Sequence, residues 1–206
     1  MCYNEPHSIS EYEYPRMAKP KKSVDPLRED YLKLLETSQN SDVTFIVNGE
    51  KIKAHKTILA ARSDYFRNMF DADMRENLSN EVEITDADPA VFRALLEHVY
   101  AGIDPPVEIA LDVLVIADKY GLEHLKRLCE GLVFTDLNCG FRVRGDVTVV
   151  DVLIVAERVG CEDLKNRAMS ILSEHLNLAS EEERAKLKND PDLLFQLFER
   201  CVKKNV

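Results

Sequence analysis

Between Asp42 and Gly102 the chain changes its hydrophobic period, and that change limits the folds open to it. Val43, Phe45 and Val47 alternate with polar neighbours, the two-residue period of a half-buried strand. Asn48-Gly49 follows, and because both residues tolerate positive φ the pair closes a two-residue hairpin. Ile52 and Ala54 carry the alternation along the return strand. From Thr57 the period becomes helical. Thr57 to Arg62 reads as a short helix, and Ser63 as the N-cap of a second with Phe66, Met69 and Phe70 on one face. A further strand is expected at Val82 to Ile84. Asp88-Pro89 then opens a helix whose buried face is Val91, Phe92, Leu95, Leu96, Val99 and Tyr100, Gly102 ends it, and Pro105-Pro106 breaks the chain.

The next stretch repeats. Val113-Leu114-Val115-Ile116-Ala117-Asp118-Lys119-Tyr120-Gly121 returns 39 positions later as Val152-Leu153-Ile154-Val155-Ala156-Glu157-Arg158-Val159-Gly160, and the match continues through Lys126 and Lys165. Each copy reads as a helix, a glycine suited to a left-handed cap, and a second amphipathic helix. Such a hairpin cannot bury its apolar face alone, so the two copies are expected to stack. Beyond them, Leu164, Ala168, Ile171, Leu172 and His175 form a stripe. Ser180 to Glu183 has the form of a capping box, and Asp190-Pro191 caps a last helix expected to turn Leu194, Leu197, Phe198 and Cys201 inward.

With 206 residues, 45% hydrophobic and 31% charged, the chain has the balance of a soluble globular protein. It holds no apolar run near the roughly 18 residues that span a membrane, and its N-terminus lacks a signal-peptide core. The expected location is the nucleus, the cytoplasm or both. A net charge of −10 argues against a nucleic-acid footprint, which needs a basic face. The five cysteines, Cys2, Cys129, Cys139, Cys161 and Cys201, are scattered without a metal-type pair and read as buried free thiols. No Gly-rich phosphate loop, paired-carboxylate site or His-Glu-x-x-His run is present, so neither cofactor nor metal nor catalytic activity is expected. His55 has no ligand or nucleophile at a working spacing and reads as a structural histidine.

Residues 1–24 read as a disordered tail, in which Lys19-Pro20-Lys21-Lys22 is either a solvated charge run or a minimal nuclear import signal. Asp25 and Pro26 then open a helix with Leu27, Tyr31, Leu34 and Leu35 on one stripe. That stripe packs on its own domain or forms a seam with a second copy.

Asp42-Val43, Ala54-His55-Lys56, Ile58-Leu59-Ala60-Ala61-Arg62-Ser63, Tyr65-Phe66, Met69-Phe70 and Tyr100-Ala101-Gly102 together resemble the BTB/POZ domain, in wording nearest the speckle-type POZ proteins, which are substrate adaptors of cullin-3 ubiquitin ligases. The resemblance runs from about Asp25 to Lys204 and is strongest over the first two thirds. It implies an α+β fold: a small sheet flanked by helical hairpins over 25–134, then an all-α BACK-like extension over 135–206. It implies a homodimer through Leu27, Tyr31, Leu34 and Ile58, with Tyr31 standing where an aliphatic residue is usual. It implies cullin-3 contact through Met74, Arg75 and Glu76, bordered by Phe66, Met69 and Phe70, with Met74 an exposed anchor rather than a methionine folded onto the core. Asp42 and Lys56 match a charged pocket, read as structural. The connection Asn138 to Asp146, with Arg142 and Arg144, is a few residues longer than the family's and bears on the groove between domain and extension.

The expected function is therefore a cullin-3 substrate adaptor, not an enzyme, acting as a homodimer on an unknown protein substrate. Heterodimers with related BTB proteins are also implied; nucleic acid and membrane are not expected partners. The speckle-type proteins carry a MATH domain before the BTB domain, and about 25 residues precede the dimer helix here, too few to hold it. That favours a rival: a BTB self-association scaffold without cullin, acting in transcription or as a dominant-negative partner of full-length MATH-BTB proteins.

Overall fold

The computed structural model describes residues 25–71, 80–138, 147–175 and 179–204. The tail expected over 1–24 and the anchor segment Met74-Arg75-Glu76 lie outside the described residues, as does the connection from Cys139 to Asp146.

A three-stranded sheet forms the centre. β1 (Val43–Val47) and β2 (Glu50–Ala54) pair antiparallel around the expected turn, with Asn48 at φ 48° and Gly49 at φ 84°. β3 (Glu81–Ile84) joins the other edge of β1 in parallel, giving the order β2-β1-β3. The register sets Phe45 opposite Ile52 on one side and Val82 on the other. Val43, Phe45, Val47, Ile52, Ala54, Val82 and Ile84 are all buried, so the two-residue period delivers one apolar face to the helices.

α1 (Pro26–Thr37) precedes the sheet, and α2 (Lys56–Arg62) and α3 (Asp64–Asp71) follow the hairpin. Ser63 caps α3 as its sequence position suggests: its Oγ accepts from the Phe66 amide at 3.2 Å. The same hydroxyl donates to the Tyr120 carbonyl at 2.6 Å, tying α3 to the first repeat. α4 (Pro89–Ala101) buries one broad face and ends at Gly102 in the left-handed conformation, φ 60°. Phe92 on that face lies 4.9 Å from Phe45, ring centre to ring centre, and 6.1 Å from Tyr120. Phe66 stacks on Tyr120 at 4.9 Å. These four rings join the sheet, α3, α4 and the repeat into one core.

The repeat folds as α5 (Ala110–Lys119) with α6 (Glu123–Leu137), and α7 (Val149–Val159) with α8 (Glu162–His175). α6 thus carries on past position 134, where the sequence suggested that one domain ends. Sequence equivalence becomes structural equivalence at several bonds. The Leu122 amide donates to the Ala117 carbonyl at 2.8 Å, and the Cys161 amide to the Ala156 carbonyl at 2.9 Å. Lys126 pairs with Asp118 at 2.6 Å, and Lys165 with Glu157 at 2.5 Å. The hairpins stack, α5 on α7 and α6 on α8. Lys126 also donates to the Val159 carbonyl at 2.9 Å, so one ammonium closes its own hairpin and holds the end of the next. α9 (Glu181–Lys188) begins with the expected capping box between Ser180 and Glu183, and α10 (Pro191–Lys204) with Asp190 accepting from the Leu193 amide at 3.0 Å.

Two inward stripes need correction. His175, at the end of α8, is exposed. In α10 the buried positions are Leu193 and Leu197, while Leu194 is 40% and Phe198 63% exposed. α10 carries apolar residues on two sides, so periodicity admits two inward faces. Packing against α8 and α9 selects the one through Leu193 and leaves Leu194, Phe195, Phe198 and Val202 outward.

Candidate protein-interaction surfaces

The first surface is built on α1. Asp25 accepts from the Leu27 amide at 3.1 Å, and Pro26 supplies the first helical φ. Arg28 docks the helix by donating to the Gly102 carbonyl at 3.1 Å, and Tyr31 and Leu35 lean on the core. Yet no residue of α1 is buried, and Leu27 is 61% exposed. α1 therefore docks on the domain with its apolar stripe still partly open. Leu27, Tyr31 and Ile58 meet in one groove of about 510 Å³ between α1, α2 and the end of α4. Leu34, also expected at the seam, is half-buried and lies outside that groove. Thr57, Ala61 and Arg62 line it as well. Helical spacing from Ile58 would have found Ala61 and Arg62.

The second surface is built on α3. Phe66, expected to border a partner, is wholly buried between Phe45, Phe70 and Tyr120. It is a core residue that supports the surface and does not form it. Met69 and Phe70 are half-buried, with Lys56 Nζ 5.7 Å from the centre of the Phe70 ring. Tyr65 is exposed, edge-on to Tyr120 at 5.1 Å. It was missed, although it precedes Met69 by one helical turn and therefore shares its face. The Tyr120 hydroxyl beneath has no hydrogen-bond partner among the described residues, and burial raises its pKa well above the usual phenol value. α3 ends at Asp71.

Asp42 and Lys56 are local fasteners. The Asp42 carboxylate accepts from the Lys56 amide at 2.7 Å and so caps the start of α2. Lys56 Nζ donates to Asn80 Oδ1 at 2.6 Å. His55 is satisfied throughout. Its Nε2–H donates to the Gln39 carbonyl at 2.7 Å, and its Nδ1 accepts from the Tyr100 hydroxyl at 2.8 Å. That hydroxyl accepts in turn from the His55 amide, and burial pushes its pKa up to about 12. Burial likewise raises the Cys129 thiol to about 12 and Cys161 to about 11, which makes both poor nucleophiles near neutral pH. Among the described residues no group of three or more His, Cys, Asp or Glu is placed to hold a metal ion, and no helix is long and apolar enough to cross a membrane.

Comparison with known proteins bears on the same residues. A family model described as BTB/POZ domain matches residues 31–136, just over half of the chain. Mouse (Mus musculus) TD and POZ domain-containing protein 5 is 45% identical over 115 residues, covering 54% of this chain and 34% of that protein. Mouse TD and POZ domain-containing protein 3 is 44% identical over 115 residues, covering 54% of this chain and 32% of that protein. The chain spans about a third of the length of these curated relatives. They are named TD and POZ proteins, not speckle-type POZ proteins. Among solved structures, the BTB domain of zebrafish PATZ1 aligns with a TM-score of 0.45 at 22% identity, over 53% of this chain and 90% of that one. BTB domains are protein–protein interaction modules that generally self-associate, and they are not generally enzymes. Since the match falls on the residues that build the sheet and its flanking helices, the chain belongs to the BTB/POZ domain family, an α+β fold continued here by a helical extension.

Proposed function

We propose that this chain is a substrate-adaptor subunit of a cullin-3 ubiquitin ligase and that it works as a homodimer. Self-association uses the α1 groove, where Leu27, Tyr31 and Ile58 of one copy meet the same residues of another about a two-fold axis. Pairing with related BTB proteins would use the same groove. Cullin-3 binds on the α3 side, through Tyr65, Met69 and Phe70 together with Met74, Arg75 and Glu76. The dimer holds bound protein beside the ligase, and the chemistry of ubiquitin transfer belongs to the assembled complex.

The observation that carries this reading is the course of α3. It brings Tyr65, Met69 and Phe70 to the surface and ends at Asp71, three residues short of Met74. A half-exposed aromatic face at the end of α3 suits contact with a partner, and an unbranched thioether adapts to a hydrophobic pocket. The stacked second hairpin also supports it, because the resemblance gives such an extension to cullin-3 adaptors.

Light scattering of the chain with a cullin-3 N-terminal domain tests both halves. The expected complex contains two copies of each. Leu27→Asp with Ile58→Lys sets four charges into an apolar seam, where dimerisation would have to strip them of water. That variant should run as a monomer and still bind one cullin domain. A persisting dimer places self-association elsewhere.

A further inference from the structure

His98 lies on the inner side of α4 near its end and is 4% exposed. Its Nδ1 is 3.0 Å from the Ile103 carbonyl, an acceptor only, so Nδ1 carries hydrogen in every state that keeps this bond. Its Nε2 is 3.2 Å from Nδ1 of His124, at the start of α6, and the two rings lie at 24° to each other. In neutral His98, Nε2 is bare and accepts from His124 Nδ1–H. The ring is thus a clip between the start of α6 and the end of α4.

We propose that the His98–His124 pair is a proton-sensitive clip, closed near neutral pH, whose opening on acidification frees the start of α6 from the end of α4.

The proton count explains the switch. A proton on exposed His124 leaves its Nδ1–H donating, and the clip stays closed. A proton on His98 as well sets one N–H against the other, and the rings must part. The groups facing His98 are His124 and Glu123 from α6, Arg62 from the end of α2, and Asp104 from the turn. Arg28 of α1 sits across the turn. Burial acts most strongly and lowers the His98 pKa; His124 and Arg62 lower it further, against the Ile103 carbonyl and Asp104, which raise it. Below the usual imidazole value of about 6.5 the unfolded or loosened chain therefore binds more protons than the closed one, and the contribution of the clip falls with pH. Opening is complete below the lowered pKa of His98.

Hydrogen exchange of the full chain tests this, with the amides of residues 126–129 in α6 normalised to those of β1 so that the intrinsic pH dependence cancels. Between about pH 7.5 and about pH 5, on either side of the imidazole range, normalised protection of these amides should fall severalfold. His124→Asn retains an Nδ2–H donor, cannot titrate, and offers an oxygen to protonated His98 by turning its amide. Protection of the same amides in that variant should not change with pH. Histidine NMR should show the His98 ring titrating below the usual range. Unchanged protection there in the natural chain, an equal fall in His124→Asn, or His98 titrating at or above about 6.5 would overturn the proposal.

Discussion

Phe92→Ala should lower the stability of the chain by about 3–5 kcal/mol, the usual loss for a buried phenylalanine. Phe92 is wholly buried and, with Phe66, is one of two rings through which the sheet meets the repeat; Phe45 lies at 4.9 Å from it and Tyr120 at 6.1 Å. Its two sides belong to different elements, so neither can move in to fill the cavity without leaving the other. Set against a total of roughly 5–15 kcal/mol, this removes a large share of the fold's margin. The thermal midpoint should drop by roughly 10 °C or more. Phe198→Ala is the control: the same residue type, 63% exposed on α10, should change stability by no more than about 0.5 kcal/mol. Thermal melts of the two variants compare them directly. Equal losses would mean that the core does not run through Phe92.

Met74→Asp should weaken cullin-3 binding by about a hundredfold while leaving the melting temperature and the dimer as they are. Burying a methionine contributes roughly 1.5–3 kcal/mol. A carboxylate in the same pocket also pays desolvation with no partner. Together these make about 3 kcal/mol a conservative loss, which is about a hundredfold in affinity. The neighbouring Phe66→Ala behaves differently. Phe66 has no exposed surface, so its effect on binding should follow loss of fold and appear in the melt as well. Measuring affinity and melting temperature for both variants separates a contact residue from a supporting one.

Much of the architecture was legible because local chemistry and tertiary contacts agree. Asn48-Gly49 demands a tight turn, and the turn fixes the pairing of Val43 with Ala54. The 39-residue repeat foretold two stacked hairpins; the matching ion pairs, Lys126 with Asp118 and Lys165 with Glu157, appear only in the structure. Ser63 was readable as a cap, since capping is a local property. Its bond to the Tyr120 carbonyl spans 57 positions and has no local signature. The errors arose where a face had to be chosen. On α3 the motif drew attention to Phe66, whereas helical spacing sets Tyr65 with Met69 outward. On α10 both faces are apolar, and only the packing of α8 and α9 decides between Leu193 and Leu194. The His98–His124 pair was invisible for a related reason: each is a lone histidine on its own helix, and 26 residues separate them.

Isothermal titration of the purified chain with a cullin-3 N-terminal domain tests the proposed adaptor role. The expected result is submicromolar binding with one cullin domain for each copy of the chain. No detectable heat at tens of micromolar would contradict it and leave a self-associating BTB protein without a cullin partner.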